Sequence, residues 1–214
     1  METILIADDH EIVRRGVRMI IENFPQKYNF VEASSCEAVM NVLASQQVHY
    51  AVLDMNLTDG NLFAAFQQIT EHNPQISILV YSMNAERIYA RRLIEKGARG
   101  FLSKQASIAE LEIAIRNVLQ GEIYLSPDLK KVLFRTGKTA LLENPIDLLS
   151  DRELEVAEYV AVGMGSKEIA HKMNLDITTV STYRRRAFEK LDVQNMIELK
   201  DKFLLYKYDV DGAD

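Results

Sequence analysis

Apolar positions over residues 3–121 switch repeatedly between two spacings. Short continuous runs read as strands: Thr3 to Ala7, Phe30 to Ala33, the run ending at Leu53, Ile76 to Ser82, and Gly100 to Ser103. ISILVYS, from Ile76, is apolar without alternation, as a parallel strand buried on both faces should be. Between these runs the spacing turns helical. Ile12, Val13, Val17, Ile20, Ile21 and Phe24 fall on one face from His10 to Phe24, with Arg14, Arg15, Arg18 and Glu22 largely off it. A second helix follows a capping box at Ser34 to Glu37 and turns Ala38, Val39, Val42 and Leu43 inward. A third runs over Leu62, Phe63, Phe66 and Ile69 and stops before Pro74. Asn84 caps a fourth, Ala85 to Lys96, which Gly97 closes. The fifth opens on a capping box at Ser107 to Glu110 and packs with Leu111, Ala114, Ile115, Val118 and Leu119. Such alternation predicts an α/β fold, a five-stranded doubly wound parallel sheet with helices on both faces.

The pattern changes after residue 121. Tyr124 to Pro127 breaks the chain, a short amphipathic piece runs from Asp128 to Phe134, and Thr136 to Asp147 is polar, so 122–147 reads as a linker with one small helix. From Ser150 every signal is helical, which predicts a small all-α domain with bounds 148–214. A capping box at Ser150 and Glu153 opens its first helix and Gly163 ends it. Ser166 to Met173 is a second helix. A tight turn over Asn174 and Leu175 leads to Thr178 as the N-cap of a third, Thr179 to Leu191, and Tyr208 to Asp214 reads as an acidic tail.

Composition excludes several classes. With 48% apolar and 26% charged residues the chain is neither disordered nor fibrous. The N-terminal apolar run meets Asp8 and Asp9 too soon for a signal peptide, and no segment reaches the ~20 apolar residues of a membrane span, so a cytoplasmic protein without membrane contact is expected. One cysteine rules out an internal disulfide or a cysteine zinc site, and the four histidines are scattered without metal-ligand spacing. The net charge of -6 argues against an indiscriminate nucleic-acid coat. Within Ser166 to Leu191, however, Lys167, Lys172, Arg184, Arg185, Arg186 and Lys190 oppose only Glu168, Asp176 and Glu189, a local basic patch in an acidic half.

A doubly wound sheet places its chemistry at the carboxyl ends of its strands. The first, third, fourth and fifth strands end on Asp8 and Asp9, Asp54, Ser82 and Lys104. Asp54 alone reads as a loop cap. Three carboxylates at one edge repel one another unless a cation sits among them, and an all-oxygen donor set suits Mg²⁺. With Mg²⁺ and Lys104 to neutralise added charge, and the Ser82 hydroxyl to donate a hydrogen bond, the fitting guest is a phosphoryl group on Asp54. An enzyme of flavodoxin-like fold would need a glycine-rich or hydroxyl-rich phosphate loop after the first strand, and ADDHE supplies none.

Residues 3–121, with this DD pair, central Asp, Ser and Lys in order, resemble the receiver domain of two-component response regulators. The resemblance implies Asp54 as phosphoacceptor, Asp8 and Asp9 as metal-binding pair, and Asn56 as the residue whose backbone carbonyl completes the metal shell. It implies Ser82 and Lys104 as switch hydroxyl and phosphate-pairing lysine. Phe101 matches the aromatic that changes rotamer with the hydroxyl; a plain core aromatic is the other reading. Two departures stand out. Thr58 replaces the usual proline, which predicts a less rigid loop. Met83 replaces a small residue, and its bulk is expected to slow entry of phosphodonor and water.

In the second half, a short helix joined by a tight turn to a longer basic one is a helix-turn-helix arrangement, whose second helix enters the major groove. LSDRELEVAEYVAVGMGSKEIAHKMNLDITTVSTYRRRAFEKLDV resembles the LuxR-type DNA-binding domain. By that resemblance Ser181, Thr182 and Arg185 face bases, while Lys167, Thr179, Tyr183 and Lys190 touch the phosphate backbone. Met196, Leu199 and Phe203 lie on a fourth helix as either a dimer contact or intradomain core. The whole chain resembles a NarL/FixJ-type response regulator. It is expected to take phosphate from a histidine kinase or a small acyl phosphate, to form a homodimer when phosphorylated, and to bind paired DNA half-sites. The alternative is a phosphorylation-independent DNA binder with a degenerate receiver.

Overall fold

The computed structural model describes residues 1–63, 65–83, 86–127, 130 and 145–207. The Asn84 cap, the acidic tail from Tyr208 and, apart from Lys130, the helix expected over Asp128 to Phe134 lie outside the described residues. Chain contacts group into two units, Met1–Lys131 and Val132–Asp214.

In the first unit, strands β1 (Thr3–Ala7), β2 (Asn29–Ala33), β3 (Tyr50–Leu53), β6 (Ser77–Ser82) and β7 (Gly100–Ser103) form one sheet in the order β2-β1-β3-β6-β7. Every pair is parallel. Helices α1 (Glu11–Glu22), α2 (Cys36–Ser45), α3 (Phe66–His72), α4 (Glu86–Glu95) and α5 (Ile108–Leu119) make the crossovers. Ile4, Leu5 and Ile6 are each at most 1% exposed, so β1 is covered on both faces, which explains its unbroken apolar run. One face packs Ile4, Ile6, Val52, Leu79 and Leu102 against Val17 and Ile21 of α1 and Leu111, Ala114 and Ile115 of α5. Gly97, at φ +102°, ends the turn after α4 in a backbone region that side chains disfavour.

Two expectations shift. A two-residue hairpin, β4 (Asn56–Leu57) with β5 (Gly60–Asn61), fills the span after Asp54. As a result α3 begins at Phe66 rather than at Leu62, although Leu62 and Phe63 are buried as expected. The cap of α2 is Ser35, not Ser34, and no reciprocal box forms. The Ser35 hydroxyl accepts from Ala38 N–H at 3.0 Å, and the Asp59 carboxylate accepts from Cys36 and Glu37 N–H at 2.5 and 3.0 Å. Those bonds hold Asp59 below the ordinary carboxylate pKa, although burial by itself would raise it.

The described residues of the second unit begin with a 3₁₀ turn at Pro145–Leu148, followed by α6 (Asp151–Ala161), α7 (Ser166–Met173), α8 (Ile177–Leu191) and α9 (Met196–Lys207). The Ser150–Glu153 capping box forms as expected. Asn174 turns the chain between α7 and α8 at φ 52°. Helix α8 starts two residues earlier than expected, with Asp176 as N-cap, so Thr178 lies inside the first turn. Leu154, Val156, Ile169, Val180, Ala187 and Leu191 form the core, joined by Leu199 and Phe203 of α9. That places Leu199 and Phe203 as intradomain core, while Met196 and Ile197 stay 44% and 69% exposed.

Candidate functional site

The parallel register aligns the carboxyl ends of β1, β3, β6 and β7. Ala7 stands beside Leu53, Leu53 beside Val80, and Ser82 beside Ser103. The next residues are therefore held by the sheet itself: Asp54 N–H donates to Ala7 O at 2.7 Å, and Lys104 N–H to Ser82 O at 2.9 Å.

Asp54 is 5% exposed and both its oxygens are engaged. The Ser82 hydroxyl donates to Oδ1 at 2.6 Å, joined by Asn56 N–H at 3.2 Å, and Lys104 Nζ donates to Oδ2 at 2.5 Å. The same ammonium lies 2.6 Å from Asp8 Oδ2, bridging two carboxylates whose side chains are 2% and 6% exposed. Burial alone would lower the Lys104 pKa. Hydrogen bonds and charge from Asp54 and Asp8 outweigh that and hold it above its ordinary value, so the amine is a fixed cation. Asp8 Oδ1 accepts from His10 N–H at 2.9 Å, which turns Oδ2 toward Lys104.

Asp9 is more open and pairs with His10 Nδ1 at 2.6 Å. Ligand atoms of Asp8, Asp9 and His10 lie within 4.8 Å of one another. Three carboxylates against one ammonium leave net negative charge, and carboxylate plus carbonyl oxygens are the donors that Mg²⁺ prefers. The residues present fit that ion. Asn56 sits on the hairpin, where its side-chain oxygen accepts from Asn61 Nδ2 at 2.7 Å. The loop expected to be loose at Thr58 is tied down, because the Thr58 hydroxyl donates to Ser34 O at 3.1 Å and Asp59 caps α2. Phe101 is fully buried. Met83 is 56% exposed directly after Ser82, free of the core.

On α8, Ser181 and Arg185 are exposed and Thr179, Thr182 and Tyr183 are half-buried. The Ser181 and Thr182 hydroxyls donate to the carbonyls of Ile177 and Thr178 at 2.8 and 2.9 Å, which leaves each oxygen able to accept a further hydrogen bond. Arg185 pairs with Glu189 at 2.7 Å, and Arg184 lies 5.2 Å over the Phe188 ring. Ser166, Ser181, Arg185 and Glu189 line an open groove of about 440 Å³. Lys167 is exposed at the start of α7. Lys190 is not simply a surface cation. Its Nζ lies 2.6 Å from Oε2 of the buried Glu153, a partner 37 residues away that no local pattern reveals.

Comparison with known proteins assigns a family to each unit. Residues 4–116 match the family model for the response regulator receiver domain, and 147–203 match that of bacterial regulatory proteins, luxR family. The chain belongs to the response regulators. It is a regulator of the NarL/FixJ type rather than an enzyme of the same fold. The response regulator UvrY of Escherichia coli K12 is 30% identical over 200 residues, spanning 93% of this chain and 92% of UvrY. The oxygen regulatory protein NreC of Staphylococcus carnosus is 32% identical over 213 residues, covering 95% and 97%. Among solved structures, RcsB of Salmonella enterica serovar Typhimurium, bound to promoter rprA with the phosphomimetic BeF3-, is 28% identical. Its TM-score is 0.73, over 94% of this chain and 97% of RcsB. As a family, receiver domains bind Mg²⁺ for phosphorylation. Among the described residues of this response regulator, no helix is long and apolar enough to cross a membrane.

Proposed function

We propose that this response regulator accepts a phosphoryl group on Asp54 and that the adduct controls dimerisation and DNA binding. The domains it uses are a receiver over 1–121, a linker over 122–147 and a DNA-binding domain over 148–214. The observation that carries this reading is the Asp54 carboxylate, buried yet held by Ser82 on one oxygen and by Lys104 on the other.

Asp8, Asp9, Asp54 and the Asn56 carbonyl would hold Mg²⁺, which supplies charge neutralisation to the transferring phosphoryl oxygens. The chain's own residues do the rest. Asp54 is the nucleophile, its oxygen forming the new bond to phosphorus as the donor's leaving group departs, whether a kinase phosphohistidine or a small acyl phosphate. Lys104 Nζ and the Ser82 hydroxyl then turn from the carboxylate to the phosphoryl oxygens. Drawing Ser82 toward the phosphoryl group would couple to the rotamer of Phe101, which is buried in the unphosphorylated chain. Met83, exposed at the rim, limits access of donor and water. Met83→Ala is expected to shorten the phosphorylated lifetime severalfold, read from decay of the adduct after the donor is removed.

RcsB is bound to promoter DNA in the presence of a phosphomimetic, and the same use is proposed for this chain in the cytoplasm, as a homodimer on paired half-sites. Helix α8 enters the major groove with Ser181, Thr182 and Arg185 toward bases. Lys167, Thr179, Tyr183 and one free edge of the Lys190 ammonium lie toward phosphates. Arg185→Ala should weaken binding about tenfold and flatten base preference at one position of each half-site, read by selection from a random duplex library. Unchanged preference would place base reading elsewhere.

The experiment that tests the central claim is intact mass after incubation with acetyl phosphate, with and without Mg²⁺. A single phosphoryl adduct that requires both Mg²⁺ and Asp54 supports it. No adduct under any condition favours the phosphorylation-independent reading.

A further inference from the structure

One titratable side chain near the acidic pocket has no part in the mechanism above. Arg14, on the first turn and a half of α1, is only 15% exposed. Its NH1 donates to the backbone carbonyl of Asp8 at 2.8 Å, and its Nε donates to Glu32 Oε2 at 2.9 Å. Glu32 lies on β2, where it stands beside Ile6 of β1 in the parallel register. The second oxygen of Glu32 is 4.0 Å from Arg18 NH1, one turn further along α1. The guanidinium is thus a planar fork between a strand and the loop that carries the acid pair.

We infer that Arg14 is a positioning residue that fixes Asp8 for Mg²⁺. The inference rests on the metal reading proposed above and deepens it. Asp8 is gripped on each side of its Cα: its N–H donates to Ala33 O on β2 at 3.1 Å, and its carbonyl accepts from Arg14, which is itself anchored on β2. The carboxylate orientation follows from that backbone, since Oδ1 is already committed to His10 N–H and only Oδ2 points to the pocket. Mg²⁺ demands near-octahedral geometry at short ligand distances, so a small drift of Asp8 costs affinity. Outer partners of metal ligands typically carry 10–100-fold in affinity. Arg14 holds the peptide rather than the carboxylate, which puts it at the lower end.

A competing effect has the opposite sign. A cation beside a dication site repels the ion, so removing Arg14 would tighten Mg²⁺ binding if its field were what mattered. Glu32 compensates that charge at 2.9 Å, and the positioning effect should dominate.

The test is calorimetric titration of the full chain with MgCl₂ alone, for wild type, Arg14→Ala and Arg14→Lys, together with thermal unfolding in EDTA. Arg14→Ala should weaken Mg²⁺ about tenfold in a chain that, although its metal-free Tm falls with the two lost hydrogen bonds, is still folded at the titration temperature. Arg14→Lys keeps the charge but has no fork to span Asp8 and Glu32, so it should lose severalfold. Wild-type or tighter affinity in Arg14→Ala overturns the inference. If that variant does not fold, Arg14→Lys decides, and wild-type affinity there overturns it equally. A wild-type chain that binds no Mg²⁺ overturns the metal reading itself, whereas binding that ignores Arg14 overturns the inference alone.

Discussion

With Asp54 replaced by asparagine, DNA affinity should no longer respond to acetyl phosphate. The amide is nearly the same shape but is not a nucleophile for phosphoryl transfer, so no adduct forms. The pocket should survive the change. Lys104 keeps Asp8 at 2.6 Å, the Ser82 hydroxyl keeps an acceptor in the amide oxygen, and β3 is pinned by its own ladder. In the wild type, phosphorylation must favour the DNA-competent state by a real free energy, about 1–3 kcal/mol for couplings of this kind, or 5- to 150-fold in affinity. In Asp54→Asn that ratio falls to about one. The measurement is a fluorescence titration against a duplex recovered by selection, at one fixed salt concentration because the phosphate contacts make affinity salt-dependent. A variant that keeps the response would place the acceptor elsewhere. A wild type that binds equally with and without donor would make the chain a constitutive binder.

The strand-end polar residues were legible because a parallel sheet converts linear order into one edge: any strand that stops on a polar residue puts it there. Asp8, Asp54, Ser82 and Lys104 needed only that rule. Burial also followed the pattern, with the blank apolar runs of β1 and β6 covered on both faces. What escaped was held by partners distant in sequence. The α2 cap depends on Asp59, more than twenty residues later, and Arg14 reaches Glu32 across 18 residues. The β4–β5 hairpin has two residues per strand, too few to show any period. At α8 the error was local: Thr178 and Asp176 are both good N-caps by residue type, and the turn after Asn174 selects the earlier one. Lys190 was read as a phosphate contact because charge and helix face are visible in a sequence and a buried carboxylate 37 residues away is not.

That pair sets the second expectation. Lys190→Ala should destabilise the DNA-binding unit by about 1–3 kcal/mol at neutral pH, because it strands a buried carboxylate. Glu153 is 4% exposed, and the same Oε2 that takes Lys190 Nζ at 2.6 Å also accepts Ser150 N–H at 2.8 Å. The ammonium ties the last turn of α8 to the first turn of α6, with each charge at the helix end its dipole favours. Lys190 is 41% exposed, so solvent screening and the surviving Ser150 bond place the loss toward the lower end. Burial by itself would raise the Glu153 pKa, but the Lys190 and Ser150 bonds outweigh it and the net shift is downward. A carboxylate with a depressed folded pKa contributes stability that is complete above its unfolded value, near 4.3, and is lost as pH falls through the folded value. The penalty of Lys190→Ala should therefore be full at neutral pH and shrink in acid. Glu155 runs the other way, since burial pushes its pKa up despite Arg152, and its contribution fades as pH rises. The wild-type profile mixes the two acids, so the informative quantity is the difference between wild type and variant in urea unfolding. Glu153→Gln separates structure from DNA contact, because it weakens the same tie but leaves the Lys190 charge on the surface. If Lys190 also neutralises a phosphate, the salt slope of DNA binding drops by about one in Lys190→Ala and stays put in Glu153→Gln. Wild-type stability in Lys190→Ala at neutral pH would sink the clamp, leaving Lys190 as a DNA contact alone.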